Sequence, residues 1–170
     1  MKNTKFSRSR GALAGLVAAL AAFVLVSQPA LAATWKGLEP FVSKRADVER
    51  VLGTPTADHF AEQGTLEFNV SGGKVTVFFV TPKFVAAKKL QPALEGSILQ
   101  IVLQHERATD TPESMNLVKN SAYERQANGA IEVYTNAKDG IIYTFVESHL
   151  KTTRYSYSSA QFANIVAKGK

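Results

Sequence analysis

Leu66-Glu67-Phe68-Asn69-Val70-Ser71-Gly72-Gly73-Lys74-Val75-Thr76-Val77-Phe78-Phe79-Val80 consists of two alternating runs around a short polar turn. Leu66, Phe68 and Val70 share one face and Glu67 and Asn69 the other, the period of two that a half-buried strand requires. Ser71-Gly72-Gly73 supplies a tight reversal, so 66–70 and 75–80 are expected to form a β-hairpin. The paired glycines join two strands, and no Lys-Ser or Lys-Thr opens a helix after them, which sets a phosphate loop aside.

Upstream, Ser43 precedes Lys44-Arg45-Ala46-Asp47-Val48-Glu49-Arg50-Val51-Leu52, in which Val48, Val51 and Leu52 fall on one helical face. Gly53 can end that helix and Pro55 prevents its resumption, so a short amphipathic helix is expected over about 44–52. Ser43 is the expected cap, and Phe41 is expected to pack back on Val48 or Leu52. Downstream, 81–96 reads as a loop with Lys83, Phe84, Lys88, Lys89, Pro92 and Gly96. Ile98 to His105 reads as a third strand, apolar on both faces as in a central strand covered twice or one at an interface.

The second half follows the same order. Pro112 opens a stretch expected to be helical over 112–119, with Met115, Val118 and Leu117 as its apolar side. Gly129-Ala130-Ile131-Glu132-Val133-Tyr134 echoes Gly64-Thr65-Leu66-Glu67-Phe68-Asn69 at a spacing of 65. A turn at 136–140 leads into Ile141 to Val146, a last strand follows over 150–157, and 159–167 forms a closing tail helix. These elements define an α+β fold: an antiparallel β-sheet with short helices packed on one face, in two tandem helix-strand-strand-strand repeats over about 40–106 and 110–158. One domain over 33–170 is expected, since neither repeat alone could build a robust core.

The chain has 170 residues, 45% hydrophobic and 20% charged, with no cysteine, which excludes collagen-like, low-complexity and disulfide-stapled classes. Its net charge of +6 is unevenly spread. Lys2, Lys5, Arg8 and Arg10 meet no acidic residue in the first 32, and without them 16 basic residues face 14 acidic ones. That removes the composition argument for nucleic acid. The basic start, the apolar run from Gly11 to Val26 and the small residues Ala30 and Ala32 have the form of a cleaved signal peptide over 1–32, with Ala33 as the first mature residue. The apolar run is shorter than the roughly 20 residues needed to span a bilayer. No cysteine is available for acylation, so no stable membrane anchor is expected after cleavage, and the destination is periplasmic or secreted.

No catalytic or cofactor constellation emerges. His59, His105 and His149 are isolated in sequence, without metal-ligand spacing, and no metal or cofactor is called for. The serines lack a Gly-x-Ser-x-Gly elbow. Glu67 and Glu132 are expected to face outward on neighbouring strands. The candidate binding residues are Phe78, Tyr134, Tyr155 and Tyr157, each of opposite parity to the expected core residues of its strand. Aromatics with polar tips on a solvated sheet suit protein binding, unless the tail helix around Phe162 and Ile165 covers that face. The lysines at 83, 88 and 89 offer contact with an anionic lipid or an acidic partner.

The segment Ser43 to Pro55 resembles the helix signature of outer-membrane assembly lipoproteins of the SmpA/OmlA type and of the related β-lactamase-inhibitor-like fold, in which a capped short helix ends in Leu-Gly-x-Pro. The resemblance covers about 20 residues and implies helices on a twisted antiparallel sheet that binds proteins through its face and loops. The lipidated cysteine of those lipoproteins has no counterpart here, so tethering is not implied. The expected function is therefore an exported, non-enzymatic protein-interaction module whose partner is another envelope or extracellular protein. The alternative is a periplasmic binder of a small apolar or amphipathic ligand held between sheet and helices.

Overall fold

The computed structural model describes residues 32–169. The expected leader lies outside the described residues except for Ala32. The strands are β1 (Ala57–His59), β2 (Thr65–Val70), β3 (Gly73–Phe79), β4 (Ile98–His105), β5 (Glu124–Asn128), β6 (Ile131–Asn136), β7 (Ile141–Val146) and β8 (His149–Ser156). The helices are α1 (Arg45–Leu52), α2 (Phe60–Gln63), α3 (Pro82–Lys88) and α4 (Ser159–Lys168). All eight strands join one sheet in the order β1-β2-β3-β4-β8-β7-β6-β5, every pair antiparallel. The α+β class and the antiparallel sheet are thus as expected.

The register builds continuous rows of side chains across the sheet. Leu66, Val77, Ile101, Tyr155 and Ile141 form one row, and Phe68, Val75, Leu103, Thr153, Tyr143 and Tyr134 the next. Because side chains alternate between faces with period two, both rows lie on the same face. That face holds the core. Leu66, Phe68, Val75, Val77, Ile98 and Ile101 are buried there with Leu38 and, from α1, Val48, while Tyr134, Phe145 and Leu150 are buried with Leu117. Each such side chain contributes about 1.5–3 kcal/mol by leaving water. Register shifts at Phe78/Phe79 and Thr144/Phe145 bring Phe79 opposite Ile98 and Phe145 opposite Leu150, and all four are buried.

Several local expectations are corrected. Over 112–119 there is no helix, although Leu117 is buried as a helix face would bury it. Thr111 and Ser114 bond each other's backbone N–H groups, Leu117 N–H donates to the Pro112 carbonyl, and Asn116 adopts φ 55, which ends the turn before it propagates. Ser43 does not cap α1: its hydroxyl accepts from Glu39 N–H, and the Asp47 carboxylate takes the Lys44 N–H instead. Phe41 stacks on Tyr157 and Phe162 rather than on Val48 or Leu52. Within the expected loop, α3 forms at Thr81-Pro82, with Pro82 in the first turn and the Thr81 hydroxyl accepting from Phe84 N–H at 3.2 Å.

At the β1 edge, Asp58 ties three elements together. It accepts from Phe60 N–H at 3.0 Å and from Arg45 Nη2 of α1 at 2.7 Å, and Arg45 also lies over the Phe60 ring. The Phe60 N–H bond and then the Arg45 bond hold its carboxyl below the usual carboxylate range. A depressed folded value stabilises the fold above the unfolded carboxylate range and loses that contribution as the pH falls through the folded value. Wild-type protein is therefore expected to lose stability more steeply than Asp58→Asn on acidification below pH about 4. Denaturant midpoints measured across that range check the slope; the difference is small because the pair is exposed.

Candidate interaction face

The other face of the sheet is built from a different set of rows. Glu67, Thr76, Val102, Arg154, Ile142, Thr135 and Glu124 run across it in register from β2 to β5. Beside them run Asn69, Lys74, Gln104, Thr152, Thr144, Val133 and Gln126. Every one of these side chains is half-buried or exposed. Phe78 belongs to the same face, opposite Gln100, and is half-buried.

Helix α4 makes its aromatic and side-chain hydrogen-bond contacts at the strand ends, and its first residue, Ser159, borders a hollow at the edge of this face. Phe162 stacks on Phe41 and Tyr157, Gln161 Nε2 donates to the Pro40 carbonyl at 2.9 Å, and Gln91 Nε2 donates to the Lys168 carbonyl. The tail helix thus seats against the 40–41 and 89–91 segments at the strand ends. β4 explains its double apolarity in the same way: Ile98 and Ile101 enter the core, whereas Val102 is half-exposed on the uncovered side.

Arg154 occupies the middle of the face, between Val102 and Ile142, and forms no ion pair with a described residue. Beside it a hollow of about 340 Å³ is lined by Leu99, Gln100, Ile142, Arg154, Ser156 and Tyr157, among others. A guanidinium flanked by aliphatic side chains and a shallow depression suits a carboxylate carried on an apolar segment, because its planar fork pairs with both oxygens.

The four candidate residues do not gather on one surface. Phe78 lies on the uncovered face, and Tyr157 borders the hollow beside Arg154. Tyr134 is 1% exposed, packs edge-on against Phe145 and donates its hydroxyl to Glu132 at 3.1 Å. Tyr155 packs against the first core cluster, and burial raises its pKa. Tyr157 is half-buried in the stack with Phe41 and Phe162. The expectation that these tyrosines are outward is corrected: the parity of β6 is the reverse, with Ile131 and Val133 outside and Glu132 and Tyr134 inside. Glu132 tolerates that position because Arg125 Nε lies 2.8 Å from its carboxylate. Glu132 therefore sits on the core side while Glu67 faces the uncovered side, in strands that are not neighbours.

Sequence reasoning missed Tyr123 and Tyr143, whose rings lie 5.8 Å apart on the core side near Tyr155. Burial, then the neighbouring tyrosines, keeps Tyr143 protonated through the physiological range. His105 Nε2 lies 2.9 Å from Thr153 Oγ1 in this region, and burial depresses its pKa. His149 is exposed with Nδ1 2.7 Å from the Glu147 carbonyl, and His59 is exposed at the end of β1. Among the described residues no three of His, Asp or Glu converge in a metal-binding group.

Fold and site together define an α+β protein with an eight-stranded antiparallel sheet and four short helices. No protein-family model, curated protein or solved structure matches this chain.

Proposed function

We propose that the chain is an exported, non-enzymatic protein-interaction module of the cell envelope, and that it binds its partner through the uncovered sheet face. The observation that carries this reading is the one-sided core: the buried rows from Leu66 to Tyr134 share a face, and Phe78, Val102, Arg154, Ile142 and Val133 occupy the opposite one. Eight strands about 4.8 Å apart span roughly 34 Å, and six residues along a strand about 20 Å, or ~700 Å² of surface. That is close to the ~800 Å² per partner of a standard interface. The mixture of Thr, Gln, Arg and scattered aliphatics also matches an interface that is exposed before it is occupied. The resemblance of 43–55 to the SmpA/OmlA type supports the same reading, as does the leader over 1–32.

Duplication belongs to this proposal too. Gly64 and Gly129 both have positive φ at the same point of the echoed segments, and Gly73 and Gly140 both sit where a hairpin approaches a third strand. These matched positions support two tandem copies of one ancestral unit that meet at β4 and β8.

Photo-crosslinking in the exporting cell tests the binding face. A photoreactive side chain at Val102 is expected to trap a discrete partner, one at Lys119 on the far side is not, and Arg154→Glu is expected to abolish the Val102 adduct. Adducts of equal yield at both positions, or a Val102 adduct indifferent to Arg154→Glu, would refute the assignment.

A second reading, ligand binding, is favoured by a cleft of about 790 Å³ bounded by Phe60, Phe79, Val80, Pro82 and Lys83, among others. Its volume falls in the range of small-molecule sites. A small apolar or amphipathic ligand is expected to bind there with an affinity lowered about tenfold by Phe60→Ser, an effect on the order of one aromatic contact. Titration of an environment-sensitive fluorescent fatty acid, with no difference between the two proteins, would exclude the cleft.

A further inference from the structure

One end of the molecule carries a concentration of lysine that the interaction face does not use. The segments α3 and α4 are far apart in sequence, yet Gln91 donates to the Lys168 carbonyl and Gly169 lies against the Lys89 backbone. That contact brings Lys83, Lys88, Lys89 and Lys168 to one end, all of them exposed. Lys44 joins them: its Nζ donates to the carbonyls of Ala93 and Glu95 at 3.1 and 2.6 Å. No acidic residue occurs anywhere from Phe68 to Leu94 or after Glu147. Glu39, Asp47, Glu62, Glu95 and Asp139 lie toward this end as well, but neither α3 nor α4 carries an acid, so Lys83, Lys88, Lys89 and Lys168 meet no carboxylate within their own segments. Val42, 59% exposed, lies between Phe41 and Ser43 on the same end, held there by the Phe41 stack on Phe162.

We infer that this end, formed by Lys44, Lys83, Lys88, Lys89 and Lys168 around the exposed Val42, is a peripheral docking surface for an anionic phospholipid bilayer. Three features favour a bilayer over an acidic protein. Arg45, next to Lys44, is paired with Glu49 and Asp58, and the five cations left are lysines, each a hydrated point charge without the fork geometry that singles out one carboxylate or phosphate. They are spread over three chain segments at an end of the sheet rather than gathered in a groove. An exposed apolar side chain stands among them, as at surfaces that rest in the headgroup layer. The strand ends at Phe79, Ile98 and Ser156 point toward this end. Docking there leaves the uncovered sheet face free, so binding to a bilayer and binding to a partner protein are separable.

Attraction of this kind is additive over lysines and screened by salt. Protein recovered from the exporting cell is expected to sediment with vesicles of three parts phosphatidylcholine to one part phosphatidylglycerol at 20 mM salt, and to bind pure phosphatidylcholine at least about tenfold more weakly. Raising the salt to 500 mM is expected to release it. Lys88→Gln with Lys89→Gln is expected to lower partitioning about tenfold, and Lys83→Glu with Lys168→Glu, which changes the charge twice as much, about a hundredfold, whereas Lys119→Glu leaves it unchanged. The two paired variants change different positions, and circular dichroism confirms that each is folded. Equal partitioning of wild type and both variants, or partitioning indifferent to lipid charge, would overturn the assignment. Loss of vesicle binding in favour of soluble polyphosphate at equal phosphate concentration would overturn it too, by assigning the lysines to a soluble polyanion. The Arg154→Glu variant is expected to keep full vesicle binding, which separates failure here from failure of the partner face.

Discussion

Phe68→Ala is expected to lower the unfolding free energy by about 3–5 kcal/mol, the range for truncating a fully buried aromatic. Phe68 is 1% exposed, in register with Val75, and both belong to the cluster closed by Leu38 and Val48. Removing the ring leaves a cavity between sheet and α1 that β2, held in register by β3, cannot collapse to fill. Phe78→Ala, ten residues away in sequence and on the opposite face, is expected to cost less than about 1.5 kcal/mol, because the half-exposed ring leaves water behind rather than a void. Urea unfolding of the two variants beside wild type measures the contrast. Similar costs for both would mean that the second face is covered in solution, and the interaction face proposed above would fall with it.

Gly140→Ala is expected to be the second large effect, about 3 kcal/mol. At φ 73 an alanine is strained by its own backbone, and here its Cβ would also fall against the carbonyls of Ser156 and Tyr157. The β6–β7 turn would have to draw back from the end of β8, breaking the bonds between Gly140 N–H and Asn136 and between Ser156 N–H and Gly140. Gly129 isolates the two contributions: its φ is 59, yet nothing lies within 4 Å of a Cβ built there. Gly129→Ala is therefore expected to cost only about 1 kcal/mol, the conformational strain alone. Gly73→Ala should resemble Gly140→Ala, since its Cβ would meet the Gln104 carbonyl. Thermal midpoints for the three variants give the comparison, and a Gly140→Ala protein as stable as Gly129→Ala would contradict the close approach.

Much of the fold is legible along the chain because strong local signals agree with it. The alternation over 66–70 and 75–80, the turn at 71–73 and the apolar run over 98–105 correspond to β2, β3 and β4 within a residue or two at the ends. Helix α1 is announced by Val48, Val51 and Leu52 and stopped by Gly53. By contrast, β5 has five exposed residues and no alternation, and it is a strand only because β6 offers it a ladder. β1 is three residues long, too short to show a period. Helix α3 carried a readable signal, Thr81-Pro82, but seven residues leave little room for an apolar stripe.

The candidate site divided along the same line. Composition and alternation by themselves determined that this chain has amphipathic strands and short helices, and that aromatic residues stand in its strands. Alternation separates two faces without saying which one is inside, and tyrosine, apolar in its ring and polar at its tip, suits either. Only the tertiary structure decided that Tyr134 and Tyr155 turn inward while Phe78, Val102 and Arg154 remain outside. It did so through residues remote in sequence: Leu117 and Val48, which cover one face, and the pairing of β4 with β8, which aligns both halves to bury the same side. The lysine end was decided the same way, since α3 and α4 meet only after the sheet between them has formed.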